Sequence, residues 1–317
     1  MNRFLQVLSA KLKGKKIGLS HVGDADGIVC GALFLRAYPD ALLLLVDPWE
    51  IKDKWSCWLN WFTWDYVADL PSPRKAILRV DHHKSNPPRA RVEFYDPSAP
   101  SAAVLALKAL HLEDDKISNA LAKFATECDT AKIESPEAWD LNDAVKGSPD
   151  EERIKLARWL AQEGIQALKK PEVQQWIEVN RARRARTAAL ADKISVSELV
   201  FIKLPNESQI SVRNLMITLE RRGAKFTCVI TPRGKRFKIH LGCKEDSGYD
   251  CSEIAKALGG GGHPYASGAT VDDLETALEK VRKHLGLEKL KIIEFKEEDL
   301  QDLPKAPSRP SSSRGVS

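Results

Sequence analysis

The chain has 317 residues, 43% of them hydrophobic, and 49 basic against 44 acidic side chains give a formal charge of +5. That is enough chain to bury two cores, and the mildly basic balance admits an anionic partner without requiring one. No run approaches eighteen apolar residues, the N-terminus lacks an apolar signal core, and six scattered cysteines form no CxxC pair; a membrane span, a secretory leader, a disulfide framework and a zinc knuckle are all disfavoured, and a cytoplasmic location is expected.

In chain order, "KIGLS" (16–20), "ALLLLV" (41–46), "YVA" (66–68), "AILRV" (76–80) and "VEFY" (92–95) read as strands. "GIVCGALFLRAY" (27–38) and "SAAVLALKALHL" (101–112) read as helices between them. This alternation predicts an α/β fold built on a parallel sheet. "KWSCWLNWFTWDY" sets Trp55, Trp58, Trp61 and Trp64 three residues apart. The four rings are expected to pack a crossover helix on the sheet, with Trp55 the exposed member; stacking on nucleic-acid bases is the alternative. Residues 150–192 are helical in pattern and carry Arg181, Arg183, Arg184 and Arg186, a solvated face or a lining for a phosphate backbone.

A second set of strands follows in "LVFIKL" (199–204), "KFTCVIT" (225–231) and "RFKIHL" (236–241). Helical patterns cover 212–223, 251–260 and 274–286. The chain is therefore read as a first α/β domain over 1–165, a helical connector over 166–194 and a smaller mixed α/β domain over 195–290. Residues 291–317 are expected to be mostly disordered, with Phe295 and Leu300 as anchors if the acidic stretch "FKEEDLQDLP" instead docks on a partner.

Polar residues collect where the first-half strands end. "SHVGDADG" delivers His21, Asp24 and Asp26, "WDYVADLP" delivers Asp69, and "RVDHHKS" delivers Asp81, His82 and His83. "FATECDTAKI" adds Asp129 at the end of a helical pattern. In an open parallel sheet the carboxyl ends of the strands form the ligand crevice, so these groups are expected at one edge. Four carboxylates gathered there (Asp24, Asp26, Asp69 and Asp129) would repel, and two divalent cations would neutralise them. Carboxylates with one or two imidazoles suit Mn²⁺ or Mg²⁺, and a pair of such ions about 3.5–4 Å apart can activate water and hold a phosphoryl group. The residues by themselves thus read as a two-metal hydrolase of phosphate esters. Taken singly, Asp24 or Asp26 could do no more than cap the helix at 27–38.

The motifs "HVGDADG", "VADLP", "VDHHKS", "CDTAK" and, far downstream, "GGGGHPYASGA" (259–269) give the chain its resemblance to the DHH-family phosphoesterases, over roughly residues 15–285. The resemblance implies a parallel-sheet DHH domain, a DHH-associated C-terminal domain and two Mn²⁺ ions, with Mg²⁺ as the alternative. It places His21, Asp24 and Asp69 on one ion. Asp26, Asp69, His82 and Asp129 hold the other, with Asp69 bridging. Asp81 and His83 become the catalytic pair: Asp81 orients an imidazole from behind the ligands, and His83 faces the substrate phosphate. Strand alternation would turn His82 into the carboxylates and His83 the other way. The glycine run is expected as a loop, with Gly260, Gly261, Gly262 and His263 contacting a phosphate or terminal nucleotide. The strand before it, "RFKIHLGCKEDSG", has no arginine where many relatives carry one, which leaves Lys244, Arg213, Lys238 or His240 to supply that cation.

The expected function is a metal-dependent exonuclease on single-stranded DNA or short oligonucleotides, with 3′-to-5′ as the working polarity, similar to compact archaeal RecJ-like enzymes. Expected partners are single-stranded nucleic acid, a helicase or other replication or repair protein, and further copies of the chain, with no membrane. The alternatives are a nanoRNase or small-nucleotide (pAp) phosphatase, a cyclic-dinucleotide phosphodiesterase and, from another class, a nucleic-acid-binding protein with a vestigial site.

Overall fold

The computed structural model describes residues 2–52, 56–206 and 208–305. The chain divides into two units, the first ending at Asn180 and the second beginning at Arg181. In the first unit, α1 (Arg3–Leu12), β1 (Ile17–His21), α2 (Ala25–Ala37), β2 (Leu42–Val46) and α3 (Pro48–Lys52) lead into β3 (Trp64–Ala68), β4 (Ala76–Asp81) and β5 (Val92–Tyr95). The helices α4 (Ala102–Ala109), α5 (Lys116–Asp129), α6 (Pro136–Gly147) and α7 (Arg153–Glu163) follow, and α8 (Pro171–Asp192) begins in the first unit and ends in the second. The strands form an all-parallel sheet in the order β2-β1-β3-β4-β5.

Both faces of the sheet are covered, which is why its central strands are apolar runs rather than alternating ones. On one face, Ile28, Leu33 and Phe34 of α2 pack with residues of α4, α5 and α7. On the other, Val7 and Ala10 of α1 close over Leu19, Leu44, Val46 and Trp64. The crossover helix expected over the tryptophans does not form among the described residues. A 3-10 turn at Cys57–Asn60 occupies the connection, and Trp64 is the fully buried first residue of β3, donating its indole N–H to Leu59 at 2.7 Å. Trp58 and Trp61 both pack edge-on against Phe4, although Trp61 is 65% exposed. Trp55 lies outside the described residues.

The second unit carries β6 (Leu199–Lys203), α9 (Val212–Arg221), β7 (Phe226–Arg233), β8 (Arg236–Cys243), α10 (Cys251–Ala257), β9 (Gly261–His263), β10 (Ala266–Val271), α11 (Leu274–His284) and β11 (Ile292–Glu294). Its sheet is mixed, in the order β11-β6-β7-β8-β10-β9. The disorder expected from residue 291 does not extend over 292–303. β11 pairs in parallel with β6, and Leu300 and Leu303 are buried in the same cluster as Leu215 and Leu219. Composition counts the ordering cost of this acidic stretch but cannot see that its spaced leucines have a core to enter. Arg186, from the basic run, donates to the carbonyls of Ser208, Leu303 and Pro304 and so helps hold the same segment. Residues 306–317, also expected to be disordered, lie outside the described residues. Among the described residues no helix is long and apolar enough to cross a membrane.

Candidate metal centre

His21 closes β1, and the chain turns at once into α2 with Asp24 as the N-cap, its carboxylate accepting the Gly27 N–H at 3.0 Å. A side chain on Gly27 would meet the His21 carbonyl oxygen at 2.4 Å, so glycine is what lets α2 start against the end of β1. Lys146 and Arg153 brace this turn by donating to the carbonyls of Gly23 (2.7 Å) and Val22 (2.9 Å). Asp24 thus caps the helix and also belongs to the acidic cluster. Asp26, one step into α2 and 1% exposed, accepts the N–H groups of Ala102 at 2.7 Å and Ala103 at 2.9 Å. Its carboxylate therefore sits on the positive end of α4.

Asp69 follows β3 with φ +54°, a left-handed conformation that few non-glycine residues adopt, while its N–H stays bonded to Val80 at 2.9 Å. His82 and His83 follow Asp81, the last residue of β4, and Asp129 is the last residue of α5. The strand ends and the two helix ends bring these side chains together. His21 Nδ1 lies 3.1 Å from both Asp24 Oδ2 and Asp69 Oδ2. His82 Nε2 lies 3.4 Å from Asp129 Oδ2 and 3.9 Å from both Asp26 Oδ2 and Asp69 Oδ1. The donor atoms of His21, Asp24 and Asp69 fall within 4.8 Å of one another, as do those of Asp26, His82 and Asp129.

Two buried atoms in this nest, Asp69 Oδ1 and His82 Nε2, have no hydrogen-bond partner. Leaving a buried polar atom unpaired costs about 1–3 kcal/mol, so the arrangement makes sense if the pair is held for a cation. The donor set fits that reading: these two groups are oxygen-rich with one imidazole each, as hard divalent ions prefer, and Asp69, His82 and His83 form a third group within the same distance. His82 donates its Nδ1–H to the Ala99 carbonyl at 3.1 Å, which aims its Nε2 at the carboxylates.

The two adjacent histidines do not part to opposite faces. β4 has ended at Asp81, so strand alternation no longer governs them. Their rings stand edge to face with centroids 4.6 Å apart, and both approach Asp69 Oδ1, with His83 Nδ1 at 3.3 Å. Asp81 orients His83, not His82: Oδ1 is 3.0 Å from His83 Nδ1 and accepts the His83 N–H at 3.1 Å. The other oxygen of Asp81 is held by Arg79 Nη1 at 2.8 Å and Asn86 Nδ2 at 2.9 Å. Arg79 is fully buried and also bonds Glu93 and the carbonyls of Leu70 and Asn86. Arg79 escapes motif reading, although a lone arginine two residues before Asp81 in an apolar strand shares its face and was the available signal.

The electrostatics are those of crowded carboxylates. Burial, then the charges of Asp69, Asp129 and Asp24, pushes Asp26 well above the usual carboxylate range. Burial and the charge of Asp24 also raise Asp69. Asp129 rises to about 6, chiefly by burial, with Asp69 and Asp24 adding and His82 opposing. Burial pulls His21 down, but Asp24 and Asp69 outweigh it and hold the imidazole at about 10. The Asp81 hydrogen bond leads the effects that place His83 at about 9.

In the second unit the glycine run is a loop only at Gly259 and Gly260. Gly261–His263 forms β9, which pairs with β10 around a turn at Pro264 and Tyr265. Gly262 has φ +141°, and a side chain there would meet Ser267 Cα at 2.5 Å, so the close hairpin needs glycine. His263 is exposed and stacks on Tyr265 with ring centroids 5.4 Å apart. Lys244 is exposed just past β8, whereas Arg213 pairs with Glu220 at 3.5 Å. His240 bonds Thr231 at 3.2 Å and is pulled to about 4 by burial and the neighbouring Lys238 charge.

Residues 197–286 match the family described as the DHHA1 domain. Among solved structures, the pGpG-specific phosphodiesterase of Vibrio cholerae is similar at 19% identity and TM-score 0.64, with 86% of this chain and 97% of that chain covered. An exonuclease RecJ bound to manganese is similar at 14% identity and TM-score 0.57, with 89% and 93% covered. An exopolyphosphatase-related protein from Bacteroides fragilis is similar at 15% identity and TM-score 0.54, with 89% and 95% covered. No curated protein matches the chain by sequence.

Proposed function

We propose that this chain, a DHH-family phosphoesterase by its fold and its DHHA1 domain, is a two-metal phosphodiesterase that removes nucleotides from single-stranded DNA or short oligonucleotides. One observation carries the reading: Asp69 Oδ1 and His82 Nε2, buried and unpaired 3.9 Å apart among three further carboxylates. His21, Asp24 and Asp69 would hold one ion, and Asp26, Asp69, His82 and Asp129 the other, with Mn²⁺ as the expected metal and Mg²⁺ the alternative. Such a pair supplies Lewis acidity at the phosphoryl oxygen and a water that ionises near neutrality.

The chain's own residues would orient and supply protons. Asp81, fixed by Arg79 and Asn86, engages His83 at Nδ1 and leaves Nε2 for the substrate. A protonated His83 would place positive charge beside the phosphate and donate its proton to the departing oxygen. The exposed His263–Tyr265 pair and Gly260, Gly261 and Gly262 would bind the terminal nucleotide, with Lys244 the freer cation than the paired Arg213. Single-stranded nucleic acid is the expected partner.

A dinucleotide phosphodiesterase is the second reading, favoured by the near end-to-end likeness to a pGpG-specific enzyme. Oligonucleotides of DNA and RNA, labelled at either end, in several lengths and with Mn²⁺ or Mg²⁺, separate the two. A ladder shortening from one end on long strands supports the exonuclease. Cleavage confined to dinucleotides supports the second reading. No cleavage with either metal rejects both in favour of a binding protein.

A further inference from the structure

The first unit leaves two sheet edges open, at β2 and at β5. An open edge is a template for another strand unless something blocks it. β2 lies in a groove. A cavity of ≈ 560 Å³ is lined by Leu42, Leu43, Leu44 and Leu45 with residues of α1 and α7. A second, of ≈ 380 Å³, adjoins it and shares Gln6, Leu42 and Arg158. The flanking helices stand on opposite faces of the sheet: α1 packs with Leu44 and Val46, whereas Leu156 and Leu160 of α7 share a cluster with Leu43. The edge is thus recessed between two helices.

Hydrogen-bond parity says which groups are on offer. The Leu42 N–H donates to the Lys16 carbonyl at 2.9 Å, and the Val46 carbonyl accepts from Val22 at 3.1 Å. Residues 42, 44 and 46 therefore turn towards β1, and the main-chain groups of Leu43 and Leu45 face the groove. The Arg3 guanidinium rests on the Leu45 carbonyl, which leaves the Leu45 N–H and both polar groups of Leu43 for a newcomer.

The groove is also polarised. At its Leu42 end, Lys13, Lys15 and Arg158 line the cavity with a single carboxylate, Asp40, so the end stays net basic, and none of the three cations makes an ion pair among the described residues. At its Val46 end, Asp47 and Glu151 make no ion pair among the described residues, Glu50 being held by Arg3 and Asp150 by Arg153. A second copy of the chain would bring an equally recessed β2, so the two pairs of flanking helices would meet before the strands did. A lone extended segment has no such obstacle.

We propose that this groove accepts an extended segment of a partner protein as an added strand on β2, with acidic residues at the end that lies against Lys13, Lys15 and Arg158. Alternate side chains of the segment would lie over α1 and over α7, and the main-chain bonds to Leu43 and Leu45 would supply a sequence-tolerant part of the affinity. The basic end is at the start of β1, whereas His21 is at its close beside Val46, so the charged anchor of the groove, though not its whole length, lies at the other end of the strand from the metal cluster.

The test uses the full chain and two fluorescein-labelled nine-residue peptides with an alternating valine–threonine core. One carries three acidic residues at its N-terminus and the other at its C-terminus, to cover both strand directions. One peptide should bind, and the exposed-site variant Lys15→Glu with Arg158→Glu should weaken it at least tenfold while oligonucleotide hydrolysis is unchanged. Amide exchange at Leu43 and Leu45 should slow on binding, with Leu42 and Leu44 already slow in the free chain. Failure of both peptides to protect Leu43 and Leu45, or binding indifferent to the charge reversal, overturns the proposal. So does a concentration-dependent dimer that the same variant dissolves, which would assign the edge to a second copy, or full competition by a single-stranded oligonucleotide, which would assign it to nucleic acid.

Discussion

Replacing Asp129 by asparagine should stabilise the metal-free protein at neutral pH, although it damages the site. Burial first, then the neighbouring carboxylates, lifts the Asp129 carboxyl from 3.8 to about 6. The folded state therefore binds this proton more tightly than the unfolded chain does. Below the unfolded value the group costs nothing, and a penalty develops as pH rises to about 6, after which it is constant. Two pKa units correspond to roughly 3 kcal/mol, which partial exposure of the side chain reduces to about 2 kcal/mol. Asparagine keeps the size and drops the charge. Urea unfolding in the presence of a chelator should show the variant about 2 kcal/mol more stable at pH 8, with the gap closing towards pH 4. Added Mn²⁺ should reverse the order, because only the intact site gains stability by binding. A variant less stable than the parent at pH 8, or a gap unchanged between pH 8 and 5, would refute the reasoning.

The two histidines should fail differently. His82→Ala should weaken metal binding, read by calorimetry, whereas His83→Ala should keep the metals and slow turnover by about 10²–10⁴-fold. Metal loading should release a proton at pH 7.5, since the His21 imidazole, held at about 10, must lose one to ligate; titrations in buffers of different ionisation enthalpy count it, and zero release contradicts the assignment. Arg79→Met should cost about 3–5 kcal/mol by removing the cation beside the fully buried Asp81 charge, and a melting temperature within a degree of the parent would show that Arg79 is dispensable.

The candidate site was legible to the extent that its members sit at element ends. Asp24, Asp69, His82 and Asp129 each follow or begin a segment whose period is plain, so their gathering could be foreseen. What fails is inference that carries a regular period past its element. His82 and His83 lie beyond β4, where alternation has stopped, and Trp64 belongs to a strand rather than to a helix begun at the other tryptophans. The glycine run fails for a related reason: four glycines suggest freedom, yet at Gly262 the missing side chain serves a close strand crossing. The network behind Asp81 was hidden because Arg79 and Asn86 act through contacts that no local spacing of motif residues reveals.

The carboxylate of Asp26 faces two ways, towards His82 on one side and onto the amides of Ala102 and Ala103 on the other. The opening turn of α4 therefore senses the ionic state of the cluster without contributing a ligand to it. Protonating Asp26, or drawing its electrons towards a cation, must alter how strongly those two amides are gripped. Their amide resonances amount to a gauge already wired to the cluster, one that reads its occupancy from outside the ligand set.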